Sequence, residues 1–300
     1  MLKEKILQLK KKRDALILVH NYQPAEVQDI ADFLGDSLDL SQKAKNAKNE
    51  VIVFCGVHFM AETAAMLSPE RTVLLPDISS GCPMANMATA EKLKQMKAKN
   101  PGVPVVCYIN TTAEVKAECD VCCTSANAVK IVNSIVSDKI IFVPDKNLGA
   151  YVASQTNKDL ILWEGYCPIH INILSEDILR SKQEHPNAQV LVHPECTPDV
   201  VKLADKVLST TGMCKFASES KNTEFIIATE VGIIHRMKKE NPDKSFYPAS
   251  ERAVCPNMKK NSLEKVLWAL EDMKYKIEVP KDIRDKAVKC IDRMLDITGK

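Results

Sequence analysis

The sequence predicts an α/β fold of three units related by a pseudo-threefold axis, each an α/β/α layer with a small parallel sheet, arranged around one central site. Three observations carry this expectation. Apolar, strand-like runs that end in polar triplets occur three times: Leu16 to Val19 before His20-Asn21-Tyr22, Val103 to Cys107 before Tyr108-Ile109-Asn110, and Val190 to Val192 before His193-Pro194-Glu195. Counting from the first residue of each triplet, an aspartate follows at twelve positions (Asp32, Asp120, Asp205) and a hydroxyl at seventeen (Ser37, Ser125, Thr210), with no gap. Each unit then closes on a Cys-Pro pair, at Cys82, Cys167 and Cys255.

The elements follow in order. Leu2, Ile6 and Leu9 fall on one face of an amphipathic N-terminal helix, a pattern unlike a signal or transit peptide. Each triplet strand is followed by a second buried strand, at Val51 to Phe54, Lys139 to Val143 and Glu224 to Ala228, and then by a helical pattern. Strands of four to six residues alternating with helices give parallel βαβ units with right-handed crossovers, and ligands collect beyond the carboxyl ends of such strands, where the triplets lie. The units are expected over residues 1–86, 87–173 and 174–261. Residues 262–300 form a tail that packs on the core: a helix from Leu263 to Leu270, a short strand from Tyr275 to Val279, and a closing helix from Ile283 to Leu295.

Composition narrows the function. Three hundred residues, 45% hydrophobic, can bury a large core. Forty-one basic against 39 acidic residues leave a net charge of +2 with the signs interspersed, so nothing advertises nucleic acid or an anionic membrane, and a small-molecule ligand is expected. No apolar run approaches the roughly 18 residues of a membrane helix, and the expected location is the cytoplasm. Eleven cysteines exclude a complete set of disulfides and point to reduced, buried or metal-bound thiols.

Most of these cysteines read as small core hydrophobes. Cys82, Cys167 and Cys255, 85 and 88 residues apart and alone in preceding proline, are the exceptions. One thiolate from each of three symmetric loops suits an iron-sulfur cluster with an open iron better than a structural zinc, which draws on local Cys-x-x-Cys pairs. Repeated structural loops are the alternative. Cys119-x-x-Cys122-Cys123 has local metal-ligand spacing, but it sits where the repeat predicts a buried strand and is read as packing, as are Cys55, Cys107, Cys196, Cys214 and Cys290; Cys196 adjoins Glu195 and so lies near the expected site. The repeated aspartates are read as structural. Ser37, Ser125 and Thr210 are either helix caps or ligands to one anion-binding space. His20 and His193 share a repeat position and face the axis; His58, His185 and His235 have weaker arguments.

Laid out this way, the chain resembles the quinolinate synthase (NadA) family over essentially its whole length. The resemblance rests on His20-Asn21-Tyr22-Gln23, Gly35-Asp36-Ser37, Gly56-Val57-His58-Phe59-Met60-Ala61-Glu62, Cys82-Pro83-Met84-Ala85-Asn86, Thr124-Ser125-Ala126-Asn127-Ala128, Pro144-Asp145-Lys146-Asn147-Leu148, His193-Pro194-Glu195-Cys196 and Cys255-Pro256-Asn257-Met258-Lys259-Lys260. It implies three α/β domains around a 4Fe-4S cluster held by Cys82, Cys167 and Cys255, and the condensation of iminoaspartate with dihydroxyacetone phosphate to quinolinate for NAD biosynthesis. By the same resemblance Glu195, Tyr22 and Tyr108 serve acid-base chemistry. His20, His193, Asn110, Ser37, Ser125 and Thr210 grip phosphate and carboxylates, with His170 close to the cluster. Iminoaspartate is expected from transient contact with an L-aspartate oxidase or dehydrogenase. Where some members carry Cys-x-x-Cys at the last ligand, this chain has Cys255-Pro256-Asn257-Met258, which removes a thiol-disulfide switch there. On the residues alone, a base at Glu195 needs burial to raise its pKa. An electron-transfer module and a zinc-stabilised binding protein are the competing classes.

Overall fold

A computed structural model describes residues 2–299. The chain begins α1 (Leu2–Lys12), β1 (Ala15–His20), α2 (Ala25–Gln28), β2 (Phe33–Gly35), α3 (Ser37–Lys45), β3 (Val51–Cys55), α4 (His58–Leu67) and β4 (Thr72–Leu74). It repeats as α5 (Ala90–Lys99), β5 (Val105–Tyr108), α6 (Ala113–Lys116), β6 (Val121–Cys123), α7 (Ala128–Asn133), β7 (Lys139–Val143), α8 (Lys146–Ser154) and β8 (Asp159–Leu162). After a 3-10 turn (His170–Asn172) come α9 (Ser175–Glu184), β9 (Gln189–Val192), α10 (Pro198–Val201), β10 (Lys206–Val207), α11 (Thr210–Glu219), β11 (Glu224–Ala228), α12 (Ile233–Glu240) and β12 (Ser245–Pro248). A second 3-10 turn (Met258–Lys260) leads to α13 (Leu263–Asp272) and α14 (Lys281–Thr298).

The fold is α/β with three parallel four-stranded sheets of the same order, β2-β1-β3-β4, β6-β5-β7-β8 and β10-β9-β11-β12. Their registers match. Leu18 pairs with Phe33, Val106 with Val121 and Leu191 with Lys206, each partner fifteen positions on; Ala15 with Val51, Val105 with Ile141 and Gln189 with Phe225 are each thirty-six apart. Val-Ile-Val-Phe-Cys of β3 and Val-Val-Cys-Tyr of β5 are buried throughout, as expected of strands covered on both faces.

The repeated aspartates explain the constant register. A carboxylate oxygen of Asp32 accepts the Ile17 N–H (2.8 Å), that of Asp120 the Val105 N–H (2.7 Å) and that of Asp205 the Val190 N–H (2.7 Å). Each aspartate returns its own N–H to the same residue's carbonyl. The pair staples the start of each central strand to the chain entering the neighbouring edge strand, so the structural role expected for these residues holds.

In the tail, α13 packs with α1 over the first sheet, where Ile6, Ile17, Val53, Leu267 and Leu270 are buried together. Helix α14 packs on α6 and β6 through Ala287, Cys290, Ile291 and Met294. The strand expected at Tyr275 to Val279 is reduced to one antiparallel bridge, Lys276 to Leu74, because Pro280 turns the chain into α14 directly afterwards. No helix among the described residues is long and apolar enough to cross a membrane.

Replacing Asp205 by alanine orphans the Val190 N–H and should cost about 1–3 kcal/mol of unfolding free energy. Urea unfolding against an exposed control, Lys202→Ala, checks this.

Candidate active site

The three central strands deliver their carboxyl ends to one cavity of about 150 Å³. His20 is the last residue of β1 and Tyr108 the last of β5, while His193 follows β9 directly. Tyr22, Asn110 and Glu195 stand two residues beyond these and complete the three triplets in the cavity wall. Ser37, Ser125, Thr210, Cys82, Cys167, Cys255 and His170 line it as well, so every residue singled out as a site candidate meets here. His58, His185 and His235 stay outside: His58 lies 3.7 Å from Glu62, His185 stacks on Tyr247 and His235 lies 3.1 Å from Asp29. Cys196 is buried with its thiol toward the Ala228 carbonyl and does not reach the cavity.

The hydroxyls are not caps. Asp36 caps α3, taking the Leu38 and Asp39 N–H groups, and Ser209 caps α11, which leaves Ser37 and Thr210 as first helical residues at the cavity wall, not needed as caps. Ser125 differs, lying in a turn three residues ahead of α7, and its hydroxyl is 3.2 Å from Nε2 of His193. Thr210 Oγ1 accepts from Asn21 (2.9 Å), whose own oxygen is held by Arg236. The buried Asn110 Oδ1 has no hydrogen-bond partner among the described residues.

The three Cys-Pro loops share one construction. Proline after the cysteine contributes no N–H. The next two amides fold back on the sulfur: Met84 and Ala85 on Cys82, Ile169 and His170 on Cys167, Asn257 and Met258 on Cys255. In the metal-free chain burial outweighs these bonds and pushes the Cys82 thiol up to about 12, and those of Cys167 and Cys255 upward as well. Paired amide donors on each sulfur suit a thiolate ligand, which is the state a metal would enforce.

A continuous polar chain crosses the cavity wall. Tyr22 Oη lies 2.5 Å from Thr229 Oγ1, which lies 2.8 Å from His170 Nε2; His170 Nδ1 lies 2.7 Å from Glu195 Oε2, and Tyr108 donates a short hydrogen bond to Glu195 Oε1. Burial raises both tyrosines well above their ordinary pKa, with the Glu195 charge adding to it, so each keeps its proton. Glu195 overturns the expectation of a raised pKa. Burial does push it up, but His170 and the Tyr108 hydroxyl hold it down to about 2, leaving an ionised acceptor between donors. Burial lowers His20 and His193 to about 3, making both neutral imidazoles.

Sequence reasoning missed four residues of the site. Thr229 links Tyr22 to His170. Glu230, fully buried, takes the Cys255 N–H (3.0 Å), the Gly232 N–H (2.8 Å) and Lys259 (2.8 Å), and Lys259 also reaches the Tyr22 carbonyl. Asp36 joins the wall through its cap. Thr229 and Glu230 had only position as a signal, directly following the second buried strand of the last unit at its carboxyl end, while Asp36 and Lys259 stand inside motifs that carry the family resemblance without a role given to them there.

Two sets of sulfurs have different capacities. Those of Cys82, Cys167 and Cys255 border the cavity and do not all lie within 4.8 Å of one another. A single zinc-type ion, with bonds of about 2.3 Å, needs sulfurs about 3.8 Å apart, so these three do not close on one ion as they stand. Cys107, Cys122 and Cys290 are buried in mutual contact at 3.0 to 3.6 Å; this group has the donors for a metal ion but no space for four irons.

The sequence model of the family described as "Quinolinate synthetase A protein" matches residues 4–296. Among curated proteins, the quinolinate synthase of Dehalococcoides mccartyi is 56% identical over 298 residues, covering 99% of each chain. That of Thermodesulfovibrio yellowstonii is 56% identical, covering 98% of this chain and 97% of its own. Quinolinate synthase 1 of Methanosarcina acetivorans is 56% identical, with coverage of 99% and 98%.

The depressed histidines carry a pH signature. Between their folded pKa of about 3 and the ordinary 6.5, the unfolded chain binds more protons than the folded one. Stability present above 6.5 is therefore lost as pH falls, by up to about 1.4 kcal/mol per pH unit for each histidine. Urea unfolding of the metal-free chain from pH 7 to 4 should show this slope, and a His20→Asn/His193→Asn double variant should flatten it.

Proposed function

The chain belongs to the quinolinate synthetase A family, and on that premise we propose that it condenses iminoaspartate with dihydroxyacetone phosphate to quinolinate, releasing phosphate and two waters, in NAD biosynthesis. The observation that carries this reading is the polar chain Tyr22–Thr229–His170–Glu195–Tyr108 running beside the three Cys-Pro loops in one cavity.

Cys82, Cys167 and Cys255 hold a 4Fe-4S cluster in this reading, supported by the doubled amide donors on each sulfur and by a spacing that does not close on one ion. When bound, a cluster with three protein ligands supplies an open iron able to act as a Lewis acid toward a hydroxyl group. The side chains do the rest. Both substrates are anionic, and the hydroxyls of Ser37, Ser125 and Thr210 with the neutral rings of His20 and His193 supply hydrogen bonds with little net charge. Asn110 Oδ1 accepts a substrate hydroxyl or imine N–H. Glu195, ionised and buried, takes the proton from carbon that enolisation and each dehydration require, and Tyr108 steadies the carboxylate meanwhile. His170 and Thr229 carry the polar contact on to Tyr22, whose phenol keeps its own proton and can donate it at the other end of the cavity. The chain acts in the cytoplasm, with iminoaspartate passed on in transient contact with an L-aspartate oxidase or dehydrogenase. An electron-transfer module has no use for such a polar wall; a zinc-stabilised binding protein would draw on Cys167, His170 and Glu195, whose ligand atoms lie within 4.8 Å of one another, and metal analysis after anaerobic purification separates it by giving zinc in place of iron.

Cys82→Ala, Cys167→Ala and Cys255→Ala should each abolish both iron binding and quinolinate formation in anaerobically purified protein; iron and turnover retained in all three would refute the assignment. Glu195→Gln should keep the iron and lower kcat by about 10²- to 10⁴-fold, the usual worth of a positioned base. Full activity in that variant would move the base elsewhere.

A further inference from the structure

Away from the cavity, three cysteines converge beneath α14, with a fourth, Cys119, beside them. Sγ of Cys122, on β6, lies 3.4 Å from that of Cys107 on β5 and 3.0 Å from that of Cys290 on α14, and Cys107 and Cys290 are 3.6 Å apart. All three side chains are buried. Cys119, three residues before Cys122, sends its sulfur to the Val115 carbonyl (3.0 Å) and also interacts with Cys107. Directly beside them the chain buries a cation. Lys116 is fully enclosed, its amino group donating to the carbonyls of Ile109 (2.8 Å) and Thr111 and lying 5.4 Å from the Phe59 ring, and among the described residues no carboxylate forms an ion pair with it. Its field reaches Cys107, Cys119 and Cys122.

We propose that Cys107, Cys119, Cys122 and Cys290 form a second metal site, for one tetrahedral thiophilic cation of the zinc class, which ties α14 to the middle sheet. Ligand sulfurs around zinc stand about 3.8 Å apart, so the three in contact need to spread by only a few tenths of an ångström each. Cys119, at the local Cys-x-x-Cys spacing that structural zinc favours, stands outside this close group and supplies the fourth ligand only after its sulfur turns from the Val115 carbonyl toward Cys107. Binding replaces four S–H bonds by four metal–sulfur bonds and releases four protons, so a dication leaves a net charge of −2 on the site. Lys116 offsets half of that charge in surroundings where an unbalanced anion would be costly. The closeness of the sulfurs selects a single ion over a cluster, and the site is independent of the chemistry proposed for the cavity.

Metal analysis of the full chain, purified without oxygen from cells supplied with both iron and zinc, tests this. Zinc should be present at about one per chain beside the iron. Cys290→Ala and Cys122→Ala should each lose it at least tenfold while keeping their iron, whereas Cys255→Ala should keep zinc and lose iron. Cys214→Ala, in a different part of the core, should keep both. Cobalt supplied in place of zinc should give a sulfur-to-cobalt charge-transfer band that is present in Cys255→Ala and absent in Cys290→Ala. Zinc and cobalt both absent from the folded parent chain, or zinc unchanged in Cys290→Ala and Cys122→Ala, would overturn the proposal and leave a packed group of thiols.

Discussion

An ionised carboxylate shut away from water has to be surrounded by donors, and Glu195 obtains them from more than one part of the chain. Tyr108 comes from the end of β5 and His170 from the loop after Cys167, while Glu195 itself stands beyond β9. Tyr22, beyond β1, closes the circuit through Thr229. A buried carboxylate lacking these partners would cost several kcal/mol, so the arrangement of the three sheets and the charge state of this one group stabilise each other. The reciprocal aspartate pairs at the opposite ends of the same strands complete the constraint: with Asp32, Asp120 and Asp205 fixing where each central strand begins, the residue at which it ends is fixed too.

The surrounding groups are tuned without adding charge. His20 and His193 are neutral, the tyrosines keep their protons, and the hydroxyls of Ser37 and Thr210 are spared from capping because Asp36 and Ser209 do it. Neutral donors around the ionised Glu195 can hold phosphate and carboxylates without a cluster of cations, which agrees with a chain whose net charge is only +2.

Much of this is legible in the sequence because the chain writes the same unit three times. Offsets of twelve and seventeen residues found both the aspartate staples and the hydroxyls, and Cys-Pro marked the three loops. What escaped was whatever the repeat does not copy. Thr229, Glu230 and Lys259 act through one unit only, and threonine, glutamate and lysine near a strand end or turn are too common to stand out. The Glu195 pKa was misjudged because burial alone was considered, when proximity to His170 and Tyr108 depends on loops far apart in sequence. Cys290 lies in the tail, so its meeting with Cys107 and Cys122 is a product of tertiary packing that no spacing reveals. The strand expected at Tyr275 failed for a local reason, since Pro280 begins the next helix too soon for a ladder to grow.

The three triplets occupy equivalent places yet begin with His20, Tyr108 and His193. A perfectly threefold cup would offer any guest three identical orientations, and two dissimilar molecules would have no reason to settle in a fixed order. One phenol among two imidazoles, and one carboxylate where the other units carry Tyr22 and Asn110, give the cup a front and a back. Handedness of approach is thus written into side chains alone, on a backbone that keeps its symmetry.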